Sequence, residues 1–162
     1  MRFISFCLIM LTLGACSPFN RLRKSSNFKE KYAGAMNYYE QKRYAKASVL
    51  FESIVPLSYG EKEGSDIMFN YAYALYYQQN YLLSAYYFKE FARVYGRSPL
   101  AVEASYMHPY ALYLASPVFS LDQTSTYEAI DAMQIFIERY PQSTYAPRAQ
   151  KVIDELYLKL AK

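Results

Sequence analysis

Few side chains in this sequence are equipped for covalent or acid–base chemistry. There are two cysteines, Cys7 and Cys16, and one histidine, His108. A thiol serves as a nucleophile or acyl acceptor where its surroundings leave it reachable, and the small pair Gly14-Ala15 directly precedes Cys16. His108 has no second histidine near it, so a zinc site there would need carboxylates for its other ligands; it reads as a packed or half-exposed residue. Glu61 and Glu63 are close in sequence but lie between Gly60 and Gly64 in a polar turn. Catalytic carboxylate pairs face each other across a substrate, and a solvated loop is the plainer account of these two. The sequence contains no Gly-rich phosphate loop, no HExxH and no Gly-x-Ser-x-Gly elbow. The expectation is a non-enzymatic protein with no metal and no cofactor, whose one covalent event is at Cys16.

The residues before Cys16 say what that event is. Met1-Arg2 is followed by an apolar run from Phe3 to Leu13, interrupted by Ser5 and Thr12. A short basic end, an apolar core and small residues before a cut make an export leader. A spanning helix needs about 20 apolar residues, and this run meets Ser17, Pro18 and Asn20 first. Leu13-Gly14-Ala15-Cys16 resembles the lipobox of bacterial lipoproteins, in which the thiol is acylated and becomes the first residue. A plain secretory leader with an incidental cysteine is the alternative. The resulting division is 1–15 signal peptide, 16–27 lipidated tether and 28–162 folded domain. Removal of 1–15 discards Cys7, so the mature chain has neither free thiol nor disulfide and depends on burial for stability. Arg21, Arg23 and Lys24 in the tether either touch anionic headgroups or are simply solvated. Ser17 is not the aspartate that retains enteric lipoproteins at the inner membrane, which favours the outer one.

Net charge is +4 for the whole chain. That is too mild to point to nucleic acid. The unusual feature is aromatic: 20 Tyr and 10 Phe with no Trp. These rings recur in register. Tyr44-x-x-Ala47-x-x-x-Phe51-x-x-Ile54 returns 37 residues later as Tyr81-x-x-Ser84-x-x-x-Phe88-x-x-Phe91. It returns again as Thr126-x-x-Ala129-x-x-x-Met133-x-x-Phe136, a further 45 along. A small residue followed by large apolar ones four and seven later forms one helix face. A second motif precedes it, Tyr73-Ala74-Leu75-Tyr76-Tyr77 matching Tyr110-Ala111-Leu112-Tyr113-Leu114. The unit is two helices and a tight turn, near the 34-residue tetratricopeptide period. The expected fold is an all-α, tetratricopeptide-repeat-like solenoid of three helix pairs and one terminal helix. Helices are expected at 28–42, 44–56, 65–79, 81–95, 99–114, 126–139 and 145–160. Ser98 and Ser143 are expected to cap the two helices that follow them, and Pro109 to kink the fifth. The longer third offset implies an insertion around 115–125, functional or merely tolerated. The last helix is expected to expose Ile153, Leu156, Tyr157 and Leu160 unless it closes the stack.

One further stripe follows the helical period. Tyr32, Met36 and Tyr39, then Phe69, Tyr73 and Tyr76, then Tyr106, Tyr110 and Tyr113, each lie on one side of the first helix of a pair. In this repeat class those helices line the concave side. Tyrosine offers ring area and a hydroxyl for a peptide backbone, so the eight aromatic members are candidates for a peptide groove. Filling of the core between helices is the competing account.

Taken together, a lipobox, a tether and tetratricopeptide pairs carrying Tyr86-Tyr87-Phe88-Lys89-Glu90-Phe91, Ser116-Pro117 through Ser120-Leu121-Asp122-Gln123-Thr124, and Ala129-Ile130-Asp131 to Phe136-Ile137-Glu138-Arg139-Tyr140-Pro141 resemble the BamD (YfiO) family, especially its Bacteroidetes-type forms. The resemblance covers essentially the whole chain. It implies a lipid-anchored subunit of the outer-membrane β-barrel assembly machine, held on the periplasmic side. Its implied partners are a BamA-like barrel protein and unfolded outer-membrane proteins with aromatic C-terminal signals. In the family, early repeats carry the substrate groove and late repeats dock on BamA. This chain has three pairs and a helix where the family has five pairs, so a truncated form is expected. A different tetratricopeptide envelope scaffold, of peptidoglycan or polysaccharide export, is the alternative function.

Overall fold

A computed structural model describes residues 18–117 and 121–161. The leader 1–15, Cys16 and the middle of the third-pair loop lie outside them. The described residues form eight α-helices: α1 Pro18–Lys24, α2 Phe28–Glu40, α3 Tyr44–Ile54, α4 Gly64–Tyr77, α5 Tyr81–Val94, α6 Ala101–Ala115, α7 Thr124–Arg139 and α8 Ala146–Leu160. A 3₁₀ turn, Val55–Leu57, follows α3. Each helix packs on the next along the chain, and α2 also meets α4 while α6 meets α8. This is the tetratricopeptide arrangement, with pairs α2/α3, α4/α5 and α6/α7 and with α8 stacked on the last pair.

The repeated small–large motif is the reason the pairs close. Ala47, Phe51 and Ile54, then Ser84, Phe88 and Phe91, then Ala129, Met133 and Phe136, are all buried. The small residue lets the first helix of the pair approach. Where serine replaces alanine, its hydroxyl is not left bare: Ser84 Oγ donates to the Ala72 carbonyl of α4 at 2.9 Å. The two tight turns are also copies. Lys42 and Gln79, 37 residues apart, both take left-handed backbone, with φ of 59° and 62°. Gly64 opens α4 because nothing larger fits, since a Cβ there would lie 2.3 Å from the Ser58 carbonyl oxygen and 2.5 Å from the Tyr95 hydroxyl.

Two local expectations, the tether and the serine caps, differ from the structure. Within the stretch read as a tether, 18–24 is helical and docked: Phe19 meets Tyr38 edge-on at 5.7 Å, and Leu22 fits against Gly34, where a Cβ would stand 2.6 Å from its Cδ1. Ser98 and Ser143 do not cap α6 and α8 directly. Each accepts from the N–H two residues on, Leu100 and Tyr145, both at 3.2 Å, and the helices begin only after that turn. In α8, Ile153 and Leu156 are buried, because the helix seals the end of the last pair, while Tyr157 remains exposed. Pro109 lies buried within α6, which runs from Ala101 to Ala115. Neighbouring His108 is held by the Ala85 carbonyl of α5, 3.0 Å from its Nδ1. Burial depresses its pKa to about 4, so the ring is neutral near pH 7.

Candidate peptide-binding surface

The stripe tyrosines project from α2, α4 and α6, each of which has a second apolar side turned to its own partner helix. Ala35 and Tyr38 of α2, Tyr71, Ala72 and Leu75 of α4, and Ala104, Ala111 and Leu112 of α6 are buried on that side. The stripe itself divides. Phe69 and Tyr106 are sunk, at 9% and 2% exposure. They occupy equivalent places 37 residues apart and rest on equivalent rings of the second helices, Phe69 on Phe91 at 5.1 Å and Tyr106 on Phe136 at 5.6 Å. These two belong to the core. Tyr32, Tyr39, Tyr73, Tyr76, Tyr110 and Tyr113 are half-buried and stand above that floor.

The half-buried rings connect across the helix pairs. Tyr73 and Tyr76 of α4 meet at 6.2 Å, Tyr76 reaches Tyr110 of α6 at 6.5 Å, and Tyr110 reaches Tyr113 at 5.7 Å. Three rings outside the stripe complete the path. Tyr44, opening α3, meets Tyr39 at 5.5 Å and stacks on Tyr77 at 4.4 Å; Tyr77 in turn stacks on Tyr73 at 5.8 Å. Tyr145 stacks on Tyr106 at 4.7 Å. The result is an aromatic surface crossing all three pairs. Tyr44 was signalled by its repeat partner Tyr81, which touches Tyr76 edge-on at 5.7 Å, as Tyr44 touches Tyr39. Tyr77 and Tyr145 have no such partner in register, and only the fold brings them in. Tyr32 makes no ring contact with this path among the described residues.

Charge on this surface is sparse and specific. Tyr73 donates to the Glu103 carboxylate, and Tyr113 donates to Glu155 of α8 at 2.8 Å. Burial, then Glu103, holds the Tyr73 phenol well above its ordinary value, and the bond to Glu155 pushes Tyr113 up to about 12. Burial raises Tyr39, Tyr76, Tyr77, Tyr106 and Tyr145 as well. All these phenols therefore stay protonated and able to donate at physiological pH. Arg148 supplies the opposing charge, acting on Tyr76, Tyr106 and Tyr145 together. The Tyr106 hydroxyl is buried without a hydrogen-bond partner among the described residues. Among the described residues no group of three or more metal-ligating side chains converges, and the arrangement has no nucleophile–base pair. Its chemistry is that of stacking and hydrogen bonding.

A family model described as YfiO, outer membrane lipoprotein, matches residues 24–162. The chain belongs to that family. The match spans every helix pair and α8, and it bears out the resemblance carried by the aromatic repeats and the extended third turn. Comparison with curated proteins finds no match. This YfiO-family chain is therefore an outer-membrane lipoprotein of the BamD type, with an all-α, tetratricopeptide-like fold. No described helix is long and apolar enough to cross a membrane.

Proposed function

We propose that the chain is a non-enzymatic adaptor, anchored through a lipid on Cys16 to the periplasmic side of the outer membrane. It binds unfolded outer-membrane proteins and scaffolds the barrel assembly complex beside a BamA-like partner. The observation that carries the reading is the unbroken ring surface from Tyr39 through Tyr44, Tyr77, Tyr73 and Tyr76 to Tyr110 and Tyr113. Partly exposed tyrosines give an extended peptide stacking area at low rotamer cost, and their hydroxyls serve its backbone. An unfolded barrel strand is such a peptide, with aromatic side chains on one face and unpaired backbone groups.

The test is titration of a barrel-protein C-terminal peptide against the wild type and a Tyr76→Ala/Tyr110→Ala variant. These two rings face each other across the first helices of adjacent pairs, and both are partly exposed. Loss of two stacking contacts is expected to weaken binding by at least tenfold. Equal affinity, with unchanged helix content, rules out this surface as the groove.

A further inference from the structure

The cations of this chain are not evenly spread. Residues 18–46 hold eight basic and two acidic side chains, whereas 47–162 hold nine basic and twelve acidic. The mild total charge conceals a strongly basic N-terminal end joined to a weakly acidic remainder.

The fold sets three of those cations, Lys42, Arg43 and Lys46, beside the start of α1, with Arg21, Arg23 and Lys24 following along α1. Helix α1 runs antiparallel to α2: Phe19 lies on Tyr38 near the end of α2, Leu22 lies on Gly34 at its middle, and Ser25 Oγ donates to Glu30 near its start at 2.7 Å. Pro18 is therefore beside the turn that joins α2 to α3, where Lys42, Arg43 and Lys46 stand. Lys46 Nζ sits 5.4 Å from the Phe19 ring and 5.5 Å from the Tyr38 ring, and Arg43 covers Tyr38 at 5.2 Å. Rings thus hold the charged ends of both side chains at cation–π distance, with no carboxylate paired to either. Among the described residues, Arg23, Lys24, Lys42, Arg43 and Lys46 form no ion pair; Arg21 alone reaches one, Glu30 at 3.8 Å. Lys42, Arg43, Tyr44, Ala45 and Lys46 also line a shallow concavity closed by Gln78, directly after α4.

We propose that this basic end is a membrane-contact face for anionic phospholipid headgroups, seated against the same bilayer that holds the lipid. It rests on Cys16 as the anchor, since one residue, Ser17, separates Cys16 from Pro18, a reach of at most about 7 Å. The occupant follows from that adjacency. A bilayer is the one polyanion that anchoring would bring to the α2–α3 turn at all times, and cations near an anionic surface each strengthen binding by about fivefold. The aromatic surface then borders the bilayer at Tyr44 and leads away from it toward Tyr110 and Tyr113 of α6. A free phosphate offers the same chemistry but no such proximity.

The protein is mixed with neutral phosphatidylcholine vesicles, with vesicles containing phosphatidylglycerol, or with inorganic phosphate at equal phosphate concentration, and its lysines are acylated and read by mass spectrometry. Labelling of Lys24, Lys42 and Lys46 is expected to slow at least threefold on the anionic vesicles only. High salt should reverse the effect, and Lys89 and Lys151 should be unchanged. Equal labelling on neutral and anionic vesicles, or equal protection by inorganic phosphate, overturns the proposal. A Arg21→Gln/Arg23→Gln/Lys24→Gln/Lys42→Gln/Arg43→Gln variant with wild-type helix content should lose the protection of Lys46; retained protection also overturns it. Intact mass reports acylation of Cys16 separately, so a failed anchor and a failed headgroup face are distinguishable.

Discussion

The second helices of the pairs and the first helices carry equally regular patterns, yet they end in different environments. Along α3, α5 and α7 every member of the small–large motif is sealed. Along α2, α4 and α6 the aromatic stripe is only half sealed, with Phe69 and Tyr106 sunk and Tyr39, Tyr73, Tyr76, Tyr110 and Tyr113 left at the surface. A second helix offers one apolar face and lies against both its own partner and the next pair. A first helix packs on the helices before and after it and only lightly on the first helix of the next pair, which seals the floor of its stripe and leaves the rim partly open. Periodicity therefore identifies a face but not its fate, which depends on whether another helix arrives to cover it.

The widest gap between the two patterns should appear in stability. Phe88→Ala removes a fully buried ring that touches Phe69 and Tyr73, and it is expected to cost about 3–5 kcal/mol in urea unfolding. Tyr110→Ala should cost well under half of that, because its ring is partly solvated. Equal losses would break the distinction and return the stripe to the core.

The covered side of a first helix can be tested through His108, which α5 buries against the Ala85 carbonyl. Its folded pKa of about 4 lies below the unfolded value of about 6.5. The unfolded chain thus binds the extra proton first as pH falls. The stability lost to this group is nil above about pH 6.5, grows through the window down to about 4, and reaches at most about 3 kcal/mol. Lys89 of α5 adds to the depression. His108→Gln should flatten the pH dependence of stability within that window; an unchanged slope would show that other groups set it.

The smallest effect concerns the turns that join the two kinds of helix. Gln79 has a left-handed backbone at φ 62°, which glycine adopts without strain. Gln79→Gly is expected to raise the midpoint of thermal unfolding slightly, by about 0.5 kcal/mol of stability after the added unfolded-state entropy is subtracted. A lowered midpoint would mean that the side chain contributes more than its conformation costs.

Much of this was written in local spacing. Three helix pairs, their 37-residue register, both tight turns and the buried motif were legible because each depends on residues four or seven apart on one helix. The half-buried members of the stripe were legible for the same reason. Other features were not. Tyr77 joins the aromatic surface because α3 brings Tyr44 onto it, Tyr145 because the start of α8 is brought against α6, and Glu103 and Arg148 enter as charges on the same terms. The docked helix α1 was hidden because seven residues with three cations carry too little periodicity to register, and its hold on the domain comes from Gly34 leaving room for Leu22.

The sequence alone determined the class of the molecule. A doubled helical repeat follows from residue type and order, since helix formation is a local event. Only the tertiary structure decided which aromatic rings stay in contact with solvent, how the last helix buries Ile153 and Leu156, and where the basic N-terminal segment comes to rest. Those outcomes depend on contacts between helices far apart in the chain, and no spacing within a single helix encodes them.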